Sequence, residues 1–356
     1  MPYSMSIIHS ASRIAAFTGL ALLANGAMAG NPDRAGGAGA TQLLVNPWAR
    51  SNGWSLANSA CIQGAEGLFG NVAGLAHVHK TELLFSSTRW LEGSGVKVNS
   101  VGFGQKLGES GVIGVSATVF GFGELPVTTI DQPEGGLGTF SPTQANIGIA
   151  YSKAFSNSIY GGLLLRVISE SIANVRASGV AFDAGIQYVT GPSENIHFGI
   201  ALKNVGPAMQ FEGDGLSVQG LLVSTPEDIL TLDQRSADFE LPSMMNIGVA
   251  YDLNISELHR VTIAGTFTSN SFTKDQFILG AEYAFKKMFH VRGGYLYEKG
   301  VTKEVDRETV FTGPSAGVSV DLPFGEEKQS AVAIDYGYRA TNPFSGVHSI
   351  GVRLSL

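Results

Sequence analysis

The stretch Ala331-Val332-Ala333-Ile334-Asp335-Tyr336-Gly337-Tyr338-Arg339 decides the fold class. Val332, Ile334, Tyr336 and Tyr338 occupy every second position, with Ala333, Asp335, Gly337 and Arg339 between them. A side-chain period of two marks a β-strand whose faces meet different surroundings. The same split recurs in both directions along the chain. At 277–285, Phe277, Leu279, Ala281, Tyr283 and Phe285 alternate with Ile278, Gly280, Glu282 and Ala284. At 195–205, Ile196, Phe198, Ile200 and Leu202 alternate with His197, Gly199, Ala201 and Lys203. Ile247, Val249, Tyr251 and Leu253 repeat the pattern, as do Val261, Ile263, Gly265 and Phe267.

Runs of this kind place about fourteen strands, near 81–90, 96–105, 112–122, 144–154, 159–169, 179–189, 195–205, 243–253, 259–269, 275–286, 289–298, 315–323, 330–340 and 347–356. The gaps alternate in length. Those at 107–111, 155–158, 190–194, 254–258, 287–288 and 324–329 are tight, and those at 123–143, 170–178, 206–242 and 299–314 are long. Short turns at one end and long loops at the other are the signature of an up-and-down barrel in an outer membrane. Hydrocarbon offers no partner to backbone N–H and C=O groups, so a sheet that spans it must close. A soluble sandwich would cover its outside with charge. Here the second face is Gly, Ala, Ser and Thr with scattered Asp, Arg and Lys, which suits a polar lumen. The expected fold class is therefore all-β: a transmembrane antiparallel β-barrel of about 14 strands.

Composition agrees. Charged residues are 15% of the 356, against about 25% in an ordinary soluble domain. A hydrophobic content of 44% excludes disorder. The net charge of −7 leaves no basic footprint for nucleic acid. A single cysteine, Cys61, cannot form an intrachain disulfide.

Arg13, the apolar run 14–23 and Ala27-Met28-Ala29 read as a secretory signal peptide cut after Ala29. The run is too short to span a bilayer as a helix. The chain thus divides into a signal peptide at 1–29, an N-terminal periplasmic or hatch segment at 30–80, and an outer-membrane barrel at 81–356. Side chains alone cannot fill a lumen this wide, so the segment 30–80, rich in small residues and without alternation, is expected as a plug. The last eight residues, ending Gly351-Val352-Arg353-Leu354-Ser355-Leu356, resemble a C-terminal barrel-insertion signal with Leu356 in place of the usual aromatic.

Short landmarks in a fixed order carry a family resemblance. They are Leu43-Leu44, Pro47, Ala49-Arg50 and Gly53; Asn71, Ala73, Gly74 and Leu75; Trp90-Leu91; Gly123-Glu124-Leu125 with Thr128 and Asp131; Asn204-Val205-Gly206; and Leu241-Pro242-Ser243. The chain resembles the PorV/PorQ family, outer-membrane barrels related in fold to FadL fatty-acid transporters. Val72 stands where the hatch of that family usually has proline. The resemblance implies a FadL-like barrel with an N-terminal hatch and a non-enzymatic part in type IX secretion. Its partners would be the C-terminal signal domains of secreted proteins, the secretion translocon and the attachment machinery, besides outer-membrane lipid. In the longest loop, Thr225 as N-cap, Pro226 at the first helical position, then Glu227 and Asp228, read as a helix start. A helix through Ile229, Leu230 and Leu232 would offer a docking stripe. The alternative is a FadL-like channel for hydrophobic small molecules with a lipid-like ligand in the lumen. The small, polar inward faces of the strands count against it.

No catalytic, cofactor or metal set emerges. Gly313-Pro314-Ser315-Ala316-Gly317 matches a nucleophile elbow in letters, but it runs from loop into strand rather than from strand into helix. His77-x-His79 places two rings on one strand face without a third ligand. Gly102-x-Gly104 and Gly121-x-Gly123 lack the third glycine of a dinucleotide loop. Arg166, Arg339 and Arg353 are expected to pair with lumen carboxylates such as Asp183, Glu282 and Asp335.

Overall fold

The computed structural model describes residues 34–221, 229–324 and 330–356. The expected signal peptide, 1–29, lies outside the described residues. Fourteen strands form the wall: β1 Thr81–Arg89, β2 Lys97–Leu107, β3 Gly111–Gly121, β4 Thr143–Ala154, β5 Ile159–Ile172, β6 Val175–Thr190 and β7 Ile196–Val205 in the first half. The second half is β8 Met244–Ser256, β9 His259–Asn270, β10 Gln276–Phe285, β11 Phe289–Glu298, β12 Phe311–Phe324, β13 Ser330–Thr341 and β14 Val347–Ser355. Each pairs antiparallel with the next, and β14 returns to β1 with Phe85 opposite Val352. The cylinder is closed, as backbone in hydrocarbon demands.

Alternation sets the two faces. Leu279 and Ile334 point outward at 68% and 51% exposure, while Glu282 and Asp335 point inward at 2% each. Two irregularities matter for the lumen. Lys203 and Asn204 of β7 together oppose Asp183 of β6, and Asn204 takes a left-handed backbone at φ 58°. In β12, Thr312, Gly313 and Pro314 bulge against Ala340 of β13. Such bulges re-aim side chains at barrel rims.

The long-loop reading at 170–178 is corrected. β5 and β6 run on past the expected boundaries, and only Ala173 and Asn174 connect them, Ala173 at φ 47°. The long connections are 122–142, 206–243 and 299–310, all at one end, the loop end, which faces outward in an outer-membrane barrel. The helix expected through Ile229, Leu230 and Leu232 is a strand, Ile229–Asp233, paired antiparallel with Ser217–Leu221. The capping residues Thr225, Pro226, Glu227 and Asp228 lie outside the described residues. Residues 229–233 pair instead with a segment that starts twelve residues earlier.

Residues 34–80 run through the cylinder. At the loop end Arg34 pairs with Glu240 at 2.6 Å, and Gly39 N–H donates to the Glu240 carbonyl at 3.0 Å. The chain then descends through short turns at Thr41–Leu44, Gly64–Leu68 and Val72–His77 and a single helical turn, α1, Ala49–Asn52. It reaches β1 at the opposite, turn end. Inward glycines make room for it. A Cβ on Gly199 would meet Ala60 Cα at 2.7 Å, one on Gly280 would meet Ala57 Cβ at 2.9 Å, and one on Gly351 would meet Ala49 Cβ at 3.3 Å. Trp48, Leu43, Ile62 and Leu75 are almost wholly buried between segment and wall, each worth about 1.5–3 kcal/mol of transfer energy.

Candidate functional site

Below the loops the lumen holds a cavity of about 520 Å³, within the usual range of small-molecule sites. Its apolar lining comes mainly from the internal segment and the rim. Leu44, Val45, Leu56 and Phe69 form one side; Trp90, Val96, Phe120, Phe122, Val310 and Phe311 close over it. The sequence reading, which took the lumen as small and polar, is corrected on this point. The strands do present Gln144, Asn246 and Thr268, but Phe120, Ile278 and Leu296 also turn inward from them, and the internal segment and the rim supply the rest of the apolar surface.

Two cations face this cavity. The Lys203 ammonium lies 3.6 Å from the centre of the Phe69 ring, and the Arg339 guanidinium 3.5 Å from that of Phe311. Both residues are under 5% exposed, and neither forms an ion pair among the described residues. The Arg339 Nε has no hydrogen-bond partner among the described residues. Aromatic faces offset part of the cost of burying such charges, and the remainder favours an anion or a polar group in the cavity. The carboxylate of Glu298, on the same wall, accepts from Gln276 Nε2 at 2.9 Å. Glu308 is paired with Lys274 at 2.8 Å.

The expected arginine pairing holds in part. Arg166 meets Asp183 at 2.7 Å, and Arg353 meets Asp321 at 3.0 Å. Arg339 has the ring of Phe311 instead of a carboxylate, because the β12 bulge carries that ring over it. Glu282 is the hub of a second cluster nearer the turn end. It binds Arg292 at 2.5 Å, Arg260 at 3.0 Å and Arg50 of the internal segment at 3.3 Å. Asp335 accepts from the Ser319 hydroxyl.

The hatch residues lie together against the wall. Asn71 caps the turn Val72–His77 by accepting from Ala73 N–H at 3.1 Å, and its Nδ2 donates to the Ser59 and Ile186 carbonyls. The Ser152 hydroxyl of β4 donates to the Ala73 carbonyl at 3.2 Å; Gly74 and Leu75 are buried beside them. Among the landmarks, Pro47 is buried beside Trp48, Gly53 touches Gly317, and Trp90 stacks edge-on to Phe311 at the cavity rim. Asn204, Gly206 and Pro242 come together where Asn204 Nδ2 donates to the Pro242 carbonyl at 3.1 Å. Gly123, at φ 77°, and Glu124 lie apart from these in the loop after β3.

Ser315 donates to the Gly53 carbonyl at 3.3 Å. His77 ends a turn rather than sharing a strand face with His79; its ring packs on Tyr160 at 4.2 Å. No group of three metal-binding side chains occurs among the described residues.

No protein-family model matches the sequence, and no curated protein does. Solved structures do. A structure described as the CymD monoaromatic hydrocarbon channel superposes with a TM-score of 0.53 at 14% identity, over 87% of this chain and 96% of that one. The Pseudomonas putida toluene transporter TodX gives 0.51 at 12% identity, over 87% of this chain and 97% of its own. At such identities the likeness is one of fold. The chain has the closed 14-strand fold of FadL-like bacterial outer-membrane barrels.

Proposed function

We propose that this barrel is a non-enzymatic outer-membrane channel for hydrophobic small molecules that carry an acidic group. The carrying observation is the cavity of about 520 Å³ beneath the loops, apolar on its segment and rim sides, with Lys203 and Arg339 facing it unpaired. An aliphatic or aromatic body suits the Phe, Leu and Val lining, and an acidic head suits the cations. CymD and TodX, the structures it resembles in fold, are described as a monoaromatic hydrocarbon channel and a toluene transporter, which supports the channel class. Residues 30–80 act in this reading as the plug, anchored by Asn71 and by the Arg50–Glu282 pair. The finer PorV/PorQ placement rests on the order of short landmarks alone. The type IX role it implied loses its docking helix, because Ile229 and Leu232 belong to a hairpin.

The test is a fluorescence titration of purified protein in mild detergent, because Trp90 lines the cavity. A medium-chain carboxylic acid should quench the Trp90 signal saturably, and the alcohol of the same length should bind about tenfold more weakly. Absence of saturable binding by both would sink the channel reading. Equal binding would remove the acidic head from it.

A further inference from the structure

Three outward-facing basic groups form a row on the opposite side of the wall from the cavity, at the loop end. Arg89 of β1 stands directly across from Lys97 of β2 and, on its other side, from His348 of β14. The neighbours Thr88 and Val98 point inward and are buried. Like charges directly opposite on one face repel, and little here relieves them. Lys97 makes no ion pair among the described residues; Arg89 has Glu92 at 3.5 Å with its own side chain 71% exposed. The His348 Nδ1 is engaged by the Tyr336 hydroxyl at 2.8 Å, and the ring lies 5.0 Å from that of Tyr338. The imidazole is therefore fixed, and its Nε2 is without a partner among the described residues.

The surroundings of this row specify its ligand. One step toward the turn end on the same face, Ser87 donates to Asn99 at 2.9 Å. A further step down, Phe85 and Val101 are 50% and 47% exposed. The outer face of β1 and β2 thus grades from apolar through neutral polar to cationic. Arg89 is eight residues from Thr81, about 20 Å along the barrel axis at the usual rise and tilt. The row therefore lies on the loop-end side of the apolar stretch of this face.

We infer that Arg89, Lys97 and His348 bind the phosphate of a lipid headgroup in the outer leaflet, with its acyl chain lying along Phe85 and Val101. Phosphate accepts charge-assisted hydrogen bonds from both cations at once and removes their repulsion. The apolar step beneath the row distinguishes a lipid from free phosphate, which has nothing to place there. The site is on the outer wall and is independent of the cavity and of the channel reading.

The experiment uses the full chain in nanodiscs and native mass spectrometry. The probes are a bisphosphorylated glucosamine-based lipid, its enzymatically dephosphorylated form and inorganic phosphate. Wild-type protein should retain the phosphorylated lipid about tenfold better than the dephosphorylated one, and the Arg89→Gln/Lys97→Gln variant should lose that preference. Folding of the variant is read from its unboiled mobility in detergent gels; should it fail to fold, Lys97→Gln alone gives the reading. Equal retention of the two lipids overturns the site, as does an unchanged preference in the folded variant. Displacement of the lipid by millimolar inorganic phosphate overturns the lipid assignment in favour of a free-anion site.

Discussion

Gly317 of β12 and Gly53 of the internal segment meet backbone to backbone: a Cβ built on Gly317 would lie 2.7 Å from Gly53 Cα and 2.9 Å from the Tyr336 carbonyl oxygen. Neither neighbour is the free end of a side chain, so neither can move without moving a strand or the segment. Gly317→Ala is therefore expected to cost about 1–3 kcal/mol and to loosen the segment from the wall. Gly121→Ala, where a Cβ meets nothing within 4 Å, serves as the neutral control. Thermal loss of the compact gel band, with limited proteolysis of 34–80, measures both. Equal behaviour of the two variants would refute close packing at Gly317.

Glu282 serves three arginines, and this makes its cluster asymmetric to mutation. Removing Arg50 leaves Glu282 with Arg260 and Arg292, so Arg50→Ala should cost about 1 kcal/mol. Removing the anion leaves three cations facing one another in a buried site. Glu282→Ala should accordingly cost about 3–5 kcal/mol. Urea unfolding in detergent ranks the two, and a larger loss for Arg50→Ala would contradict the hub assignment.

The wall was legible because hydrocarbon on one side and a packed lumen on the other write a period of two directly into each strand. Val332 to Arg339 and Phe277 to Phe285 carry both environments in their letters. The pattern fades toward the loop end. Glu170, Ser171 and Arg176, at the loop end of β5 and β6, read as loop for that reason. The cavity was hidden differently. Lys203 and Arg339 were on inward faces in the sequence, but their aromatic partners Phe69 and Phe311 come from a turn and a bulge, which have no period. Nor could the glycines of the wall be matched to Ala49, Gly53 or Ala60, because inward spacing along a strand does not say what crosses the lumen.

Lys203 and Arg339 should separate binding from folding. A buried cation without an anion costs stability, so Lys203→Met, which keeps the length of the side chain, is expected to leave the barrel as stable or more stable. The same change should weaken binding of a carboxylic acid about tenfold and leave the matched alcohol unaffected. Arg339→Met should act alike at the Phe311 side. Loss of both ligands together would assign these residues to shape rather than charge.

His77 supplies a pH dependence. Burial beside Tyr160, aided by the nearby His197 and His79, holds its imidazole down at about 4 against an ordinary value of 6.5. The folded state therefore resists a proton that the unfolded chain accepts. Stability is complete above about pH 6.5, falls as the pH drops from there to about 4, and changes no further through this group below that. The full span is at most about 3 kcal/mol. His77→Phe keeps the ring packing and removes the titration, so its melting temperature should fall less than that of the wild type between pH 7 and pH 4. Parallel curves for the two proteins would show that the ring carries no proton linkage and that other groups account for any acid sensitivity.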